Sequence, residues 1–422
     1  MHPHAGMASH YSAFAGHHAT HHAMQNNPDY ARLMSEMSTL MSEDVPLGLA
    51  LILGEIDSAM CDEMEHWIDG MADYMSWARF GPVLYVAFAK RLYGELKPIW
   101  HELLVNSPGI YAGIVFSDEI DDPQTLCLAA RLAMQKAIVL HTSYVTFDGD
   151  EAMAQVSNSH MADLMRQNLD ADGVGFEAYF QPQVKIASGS PTGAEALARW
   201  TFDGEDIPPV RFIPIAEDAG LIGILGEIML RRSVQAVSML RRKGVAIPKI
   251  SVNVSPGQMH HGDFLRAALE IVRHEGLAPA DIELEITESL AGSSGREFLL
   301  WMQEMSAAGF DMAIDDFGTG TSTLARVREF PVGKIKLDRS FVTALPDDNS
   351  SRMVCQAALQ ITHSLGMTSL AEGVENRGQA RYLNSLDCHL GQGYFWARPM
   401  PIDEIADWWN GKRPSQAESR VA

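Results

Sequence analysis

The chain is poor in cysteine and in positive charge, and it lacks any long apolar run. Its 422 residues hold four cysteines, Cys61, Cys127, Cys355 and Cys388, with no CxxC spacing. That excludes a disulfide framework and a cysteine-based zinc site, and it fits a reducing cytosol. Lys and Arg number 32 against 54 Asp and Glu, a formal net charge of -22. Such a balance argues against non-specific binding to nucleic acid or to an anionic membrane. The longest apolar run, VPLGLALILG, falls far short of the roughly 20 residues of a membrane span. No Lys or Arg precedes Arg32, so the charged start of a secretory signal is missing. A soluble cytoplasmic protein is expected. No haem, flavin or phosphoacceptor motif marks a sensed signal.

What is present falls into segments. Residues 1–43 carry seven histidines, His2, His4, His10, His17, His18, His21 and His22, among Met, Ala, Gly and Ser. His-rich tracts can bind metal, but termini of this kind are commonly disordered, and a disordered tail is expected. Residues 44–150 alternate strand and helix signals: PLGLALILGEID, a helical spacing through residues 60–74, GPVLYVAFAKRLYGEL, GIYAGIVFSDEI, PQTLCLAARLAMQKAIVL and SYVTF. They predict a small α/β sandwich. Residues 151–172 read as a helical linker. Residues 173–410 then hold eight short strands between helices: FEAYFQPQV, TGAEALARW, KISVNVS, IELEITE, DMAIDDF, KIKLD, TSLAEGV and HLGQGYFWAR. A doubly wound sheet competes, but eight strand signals favour closure into a (β/α)8 TIM-like barrel. Residues 411–422 form a polar tail.

Polar residues collect at the ends of these strands: Glu195, Asn253, Glu285, Glu288, Asp315, Asp316, Lys336, Asp338, Glu372, Glu375 and Gln392. Taken singly, each glutamate reads as a solvated loop residue or helix cap, Asn253 as a turn residue, and Lys336 as an exposed strand end. In a β/α barrel, however, the C-terminal strand ends meet at one mouth, where catalytic residues lie. The adjacent Asp315 and Asp316 are harder to read as surface residues. Two like charges at the end of an apolar strand need a lysine, an arginine or a metal between them. Five carboxylates and an amide make a hard-oxygen donor set that suits Mg²⁺ or Mn²⁺ rather than zinc. A pair of such ions about 3.5–4 Å apart is a common apparatus for phosphodiester hydrolysis.

At these residues the second half closely resembles an EAL-domain phosphodiesterase. Enzymes of that family cleave the bacterial messenger cyclic di-GMP to the linear dinucleotide pGpG. The likeness rests on FQPQV, EALARW, FIPIAEDAGLI, VNVSPGQ, LEITES, DDFGTGTSTL, KIKLDRSF, AEGVE and GQGYFWARPM, in that order. It implies that Glu195, Asn253, Glu285 and Asp315 hold one metal. Asp315, Asp316 and Glu372 would hold a second, with Asp315 bridging. Lys336 would position the attacking water. Gln181, Arg199, Asp338 and Gln392 are the implied substrate contacts, with Arg199 facing a phosphate. Glu375 matches a further position near the site, and Glu288 would anchor the loop after Asp316. Every metal-ligand position is filled, which implies an active enzyme and, by the same likeness, a homodimer. One departure is Thr321, where the family usually carries an aromatic in a loop linked to dimerisation and metal affinity. A receptor that binds cyclic di-GMP without cutting it is the alternative.

The first half resembles a degenerate GGDEF domain. AARLAMQKA, residues 129–137, is similar to a helix of that family. Its signature would fall on GPVLY, where Pro82, Val83 and Leu84 replace the second glycine and both acidic positions. Glu55 and Asp57 could stand where a metal-binding aspartate sits, yet cyclase activity is not expected. Such a half would regulate rather than catalyse.

Overall fold

The computed structural model describes residues 27–43, 46–53, 75–80, 83–106, 109–118, 120–255, 258, 264–287, 296–318 and 327–411. The chain divides into two compact units, Met1–Met161 and Ala162–Ala422. Among the described residues no helix is long and apolar enough to cross a membrane.

The first unit is a five-stranded sheet: β1 (Leu47–Leu53), β2 (Met75–Phe80), β3 (Val83–Ala89), β4 (Tyr111–Phe116) and β5 (Tyr144–Phe147), in the order β2-β3-β1-β4-β5. The central strand, LGLALIL, pairs antiparallel with β3 and β4. It is apolar throughout because both faces are covered. Leu47, Leu49 and Leu51 pack with helices α1 (Pro28–Ser42) and α3 (Pro123–Val139). Ala50 and Ile52 pack with Leu96, Trp100 and Leu104 of α2 (Tyr93–Asn106). Helix α3 buries Ala129, Ala130, Ala133 and Ala137. Those short side chains let it lie so close to β4 that a Cβ on Gly113 would stand 2.1 Å from the Ala130 carbonyl.

The expected tail to residue 43 needs correction, because its last part is folded. Asn27 accepts hydrogen bonds from the amides of Asp29 and Tyr30, and Pro28 opens α1. Tyr30, Leu33 and Met37, at helical spacing, are buried. This cap-and-proline start was legible in the sequence. Strand β2 was also unanticipated. Residues 54–74, which include Glu55, Asp57 and the expected helical stretch, lie outside the described residues, as do Gly81 and Pro82. The expected linker corresponds to one helix, α4 (Gly149–Asp170).

In the second unit every expected strand forms: β6 (Phe176–Lys185), β7 (Pro191–Phe202), β9 (Ile250–Asn253), β10 (Ile282–Thr287), β11 (Asp311–Phe317), β12 (Lys334–Leu337), β13 (Thr368–Ala371) and β14 (Leu390–Gly391). A short β8 (Glu205–Ile207) adds to β7. The sheet closes because β6 pairs with both β7 and β14. Both of those pairings are antiparallel, while the strands from β7 through β9 to β14 run parallel. The barrel is therefore TIM-like with one reversed strand, a departure from the uniform (β/α)8 pattern. The first connection is a tight loop through Ser188, Gly189 and Ser190, too short for a crossover helix.

Several other connections carry helices, among them α5 (Pro209–Asp218), α6 (Ile222–Arg242), α7 (Phe264–His274) and α8 (Arg296–Ala307). Strand alternation sorts the two faces. In β10, Ile282, Leu284 and Ile286 join the core that includes Phe298, Met302 and Met305 of α8. Glu283 and Glu285 take the opposite face, inside the barrel. The same holds for KIKL of β12 and ISVN of β9.

Candidate active site

The carboxylates meet around one lysine. Lys336 is fully buried, and its Nζ lies 2.6 Å from Glu285 Oε2, 2.6 Å from Glu372 Oε1, 3.1 Å from Asp315 Oδ2 and 3.4 Å from Glu195 Oε2. Burial opposes charge on Lys336. Asp315, Glu195, Glu285 and Glu372 outweigh burial and hold the ammonium well above its usual pKa. In the metal-free chain Lys336 is therefore an ammonium donor at neutral pH.

Its partners are tuned differently. Burial opposes ionisation of Glu195, but Lys336 and hydrogen bonds from Gln392 and Asn253 more than offset it, and its carboxyl sits below the ordinary value. Asn253 donates to Glu195 Oε1 at 2.8 Å, and Gln392 donates to Glu195 Oε2 at 2.7 Å. Burial, followed by the charge of Glu195, pushes Glu285 well above the carboxylate range, with Lys336 pulling the other way. Burial raises Glu372 to about 8 against the pull of Lys336, with Asp315 and Glu195 adding to the rise. Burial and the neighbouring charges of Asp315 and Asp338 raise Asp316 to about 6.

The backbone explains how two adjacent aspartates reach one centre. Neighbouring residues of a regular strand point to opposite faces. Here the β11–β12 register shifts between Ile314 and Phe317, and Asp316 adopts φ 54°. That left-handed conformation costs a non-glycine residue about 1–2 kcal/mol, and it turns the second carboxylate toward the first. Oxygens of Asp315, Asp316 and Glu372 consequently lie within 4.8 Å of one another, as do those of Glu195, Glu285 and Asp315. Asp315 belongs to both groups. Gly318 follows at φ 102°, where a Cβ would stand 2.6 Å from the Phe341 ring.

Above this floor lies a cavity of about 280 Å³ lined by Gln181, Arg199, Arg339, Glu375 and Tyr394 together with Glu195, Asp315, Glu372 and Gln392. Arg199 lies 5.3 Å over the Tyr179 ring and donates to the Ala198 carbonyl at 2.7 Å. Gln181 donates to the Ala397 carbonyl at 3.1 Å and accepts from Gln392 at 3.0 Å. The Nε2 of Gln392 thus faces two acceptors, while its Oε1 is buried with no hydrogen-bond partner among the described residues. A second, larger and mainly apolar cavity of about 630 Å³ shares Leu197 and Arg199 and is lined by Pro209, Ile213, Ile222 and Met229.

Of the sequence-predicted site residues, the structure brings together Gln181, Glu195, Asn253, Glu285, Asp315, Asp316, Lys336, Glu372 and Gln392, with Arg199 and Glu375 on the cavity wall. The Asp338 carboxylate caps α9 (Arg339–Thr343), accepting from the Ser340 amide, and its charge helps to raise Asp316. Glu288 and Thr321 lie outside the described residues. Sequence reasoning missed Arg339, whose Nη2 donates to Glu375 Oε1 at 2.8 Å. It also missed a polar tier beneath the carboxylates, formed by Gln183, Ser251, Glu283 and Lys334. The signal was the strand period of two in FQPQ, ISVN, IELE and KIK.

Comparison with known proteins gives a consistent family. The EAL domain model matches residues 162–399. The cyclic di-GMP phosphodiesterase RocR of Pseudomonas aeruginosa is 29% identical over 361 residues, 85% of this chain and 88% of RocR. A solved structure described as the PaMucR phosphodiesterase in complex with c-di-GMP is 32% identical, with a TM-score of 0.55, over 58% of this chain and 98% of that one. An S helix-GGDEF-EAL structure of Vibrio cholerae LapD, bound to c-di-GMP, has a TM-score of 0.52 at 20% identity, over 86% of this chain and 93% of that one, a likeness of fold alone. The chain spans about a third of the length of several other curated relatives.

Proposed function

The chain belongs to the EAL domain family, and from that premise we propose that it hydrolyses cyclic di-GMP to pGpG with the aid of two divalent cations, Mg²⁺ or Mn²⁺. The observation that carries this is the charge count at the barrel mouth. Five carboxylates, Glu195, Glu285, Asp315, Asp316 and Glu372, face a single ammonium, Lys336. When all are ionised the deficit is four charges, the charge of two divalent cations. The donors are hard oxygens with no histidine or cysteine among them, which fits these ions. The Oε1 of Gln392, without a partner among the described residues, adds an unsatisfied acceptor beside Glu195.

Glu195, Asn253, Glu285 and Asp315 would hold one cation, and Asp315, Asp316 and Glu372 the other. The cations would supply electrophilic stabilisation of phosphate charge and a more acidic water. The chain does the rest. Lys336 orients the nucleophilic water for in-line attack by donating to it. Gln392 and Asn253 fix the rotamer of Glu195 through its two oxygens. Arg199 offers its charge to a phosphate of the substrate, and Gln181 supports Gln392 from behind. The apolar cavity beside Arg199 offers room for a nucleobase. Attack forms a P–O bond from the water and breaks the P–O3′ bond, and the proton the water gives up balances the one the leaving 3′-oxygen takes up.

The first unit fits a degenerate GGDEF domain that regulates and does not catalyse. Its sheet and its β2–β3 neighbours support the likeness, and the signature position runs into the buried Val83 and Leu84 of β3. A cytoplasmic location, a homodimer through the barrel, and the absence of nucleic-acid and membrane partners belong to the same reading.

Purified protein incubated with cyclic di-GMP and Mg²⁺ or Mn²⁺, beside an EDTA control, tests the proposal. Metal-dependent pGpG on chromatography is expected. Saturable binding of the intact dinucleotide without product would make the protein a receptor and refute the hydrolase.

A further inference from the structure

TIM-barrel interiors are ordinarily filled by layers of branched apolar side chains. Below the carboxylate ring this barrel instead holds Gln183, Ser251, Glu283 and Lys334, none more than 7% exposed. Lys334 Nζ lies 2.5 Å from Glu283 Oε1, and Ser251 Oγ donates to the same oxygen at 2.7 Å. Lys334 also donates to Gln183 Oε1 at 3.2 Å. Gln183 Nε2 donates to Ser251 Oγ at 3.3 Å and reaches Glu285 Oε1 at 3.5 Å, a long contact.

The orientation of the Gln183 amide follows from its neighbours. A lysine ammonium can only donate, so the amide oxygen must face Lys334 and the NH₂ group must face the Glu285 carboxylate. Among the described residues, Gln183 is the member of the lower tier that reaches the upper one, through Glu285. Glu285 therefore receives Lys336 on Oε2 at 2.6 Å and the longer contact from Gln183 on Oε1 at 3.5 Å. A buried ion pair such as Lys334–Glu283 contributes little net stability, because desolvating both charges costs about as much as their attraction returns. What the pair does accomplish is to fix Gln183.

We propose that Gln183 is a positioning residue. It holds the Glu285 carboxylate in the orientation that binds a divalent cation, and the Lys334–Glu283 pair anchors it. The inference rests on the cation reading of the site above.

The test is Mn²⁺ binding by calorimetry, without nucleotide, for the full chain and for Gln183→Leu, which has a similar volume and no polar end. Loss of such an outer hydrogen bond weakens metal binding by about 10–100-fold. The Mn²⁺ concentration for half-maximal turnover should rise by a matching factor, while KM for the dinucleotide stays in place. A merely structural role would lower Tm and leave the Mn²⁺ constant where it was, and that result overturns the proposal. Should Gln183→Leu fail to fold, the paired variant Lys334→Met with Glu283→Gln removes the anchor as a neutral pair. It too must weaken Mn²⁺ binding, and a parental constant refutes the inference. The comparison needs no turnover. A parent chain that binds Mn²⁺ without cutting cyclic di-GMP therefore refutes the hydrolase alone, whereas a parent that binds no divalent cation overturns both.

Discussion

The two sheets of this chain are both covered by helices, yet their inner residues differ completely. In the first unit β1 reads LGLALIL and β3 reads VLYVAFA, apolar on both faces. In the barrel β10 reads IELEIT and β12 reads KIKL, apolar outward and charged inward. Burying Leu or Ile gains about 1.5–3 kcal/mol per side chain, whereas burying a charge is costly unless it is paired. The first sheet follows the cheaper rule throughout. In the barrel the buried charges lie on the inner face, where Glu195, Glu285 and Asp315 surround Lys336 and Glu283 pairs with Lys334. A buried polar surface that stability does not require points to chemistry.

The comparison can be broken most severely at the barrel mouth. Asp315→Asn or Glu195→Ala should lower turnover by more than ~10³-fold, a loss of about 4 kcal/mol of transition-state stabilisation. Glu195→Ala should retain some cyclic di-GMP binding. Parental hydrolysis rates in either would show that the site is elsewhere. Stability gives the next contrast. Lys336→Met leaves its carboxylates uncompensated and should destabilise the metal-free chain by about 3–5 kcal/mol, part of which Mn²⁺ restores. Leu49→Ala in the first sheet should cost about 2–5 kcal/mol through its cavity, and the thermal unfolding loss should not respond to Mn²⁺. An equal response to Mn²⁺ in both variants would erase the distinction between the sheets.

A smaller effect concerns pH. Glu372 is raised from 4.5 to about 8 and Asp316 from 3.8 to about 6. A carboxyl with a raised folded-state pKa stabilises the fold fully below its unfolded value, and that stability is lost as pH rises through the folded one. The metal-free barrel should therefore lose stability between about pH 4 and pH 8. Mn²⁺ selects the ionised carboxylates, so the Tm gain on adding it should grow across the same range. A Tm gain independent of pH would contradict the raised values. The smallest change is expected at the rim. Arg339 and Glu375 form a half-exposed ion pair, and Arg339→Gln should alter stability by less than ~1 kcal/mol in denaturant titration.

Much of this was readable from the residues, and the failures have physical causes. The eight strands appeared as short apolar runs, and the carboxylate cluster appeared as polar residues at their ends. Helix α1 was hidden by the histidine-rich composition around it, although Asn27 and Pro28 marked its start. The reversal of β6 was missed although Ser188, Gly189 and Ser190 are turn residues that mark a local hairpin to β7. That Asp338 also caps a helix was missed, although a carboxylate just ahead of a helix satisfies the free amides there. The lower tier escaped notice because Gln183, Ser251, Glu283 and Lys334 look like ordinary strand polar residues until the barrel closes on them.

The sequence by itself determined the residue types: hard oxygen donors, one lysine between them, and apolar partners at alternate positions that force the strands to be covered. Periodicity and donor chemistry are local properties, and they can be read without coordinates. Only the tertiary structure decided that Lys336 touches four carboxylates, that a register shift turns Asp316 toward Asp315, and that Gln183 reaches Glu285 from below. Those facts depend on barrel closure, which sets contacts between residues as far apart as Glu195 and Lys336, and local spacing carries no record of such distances.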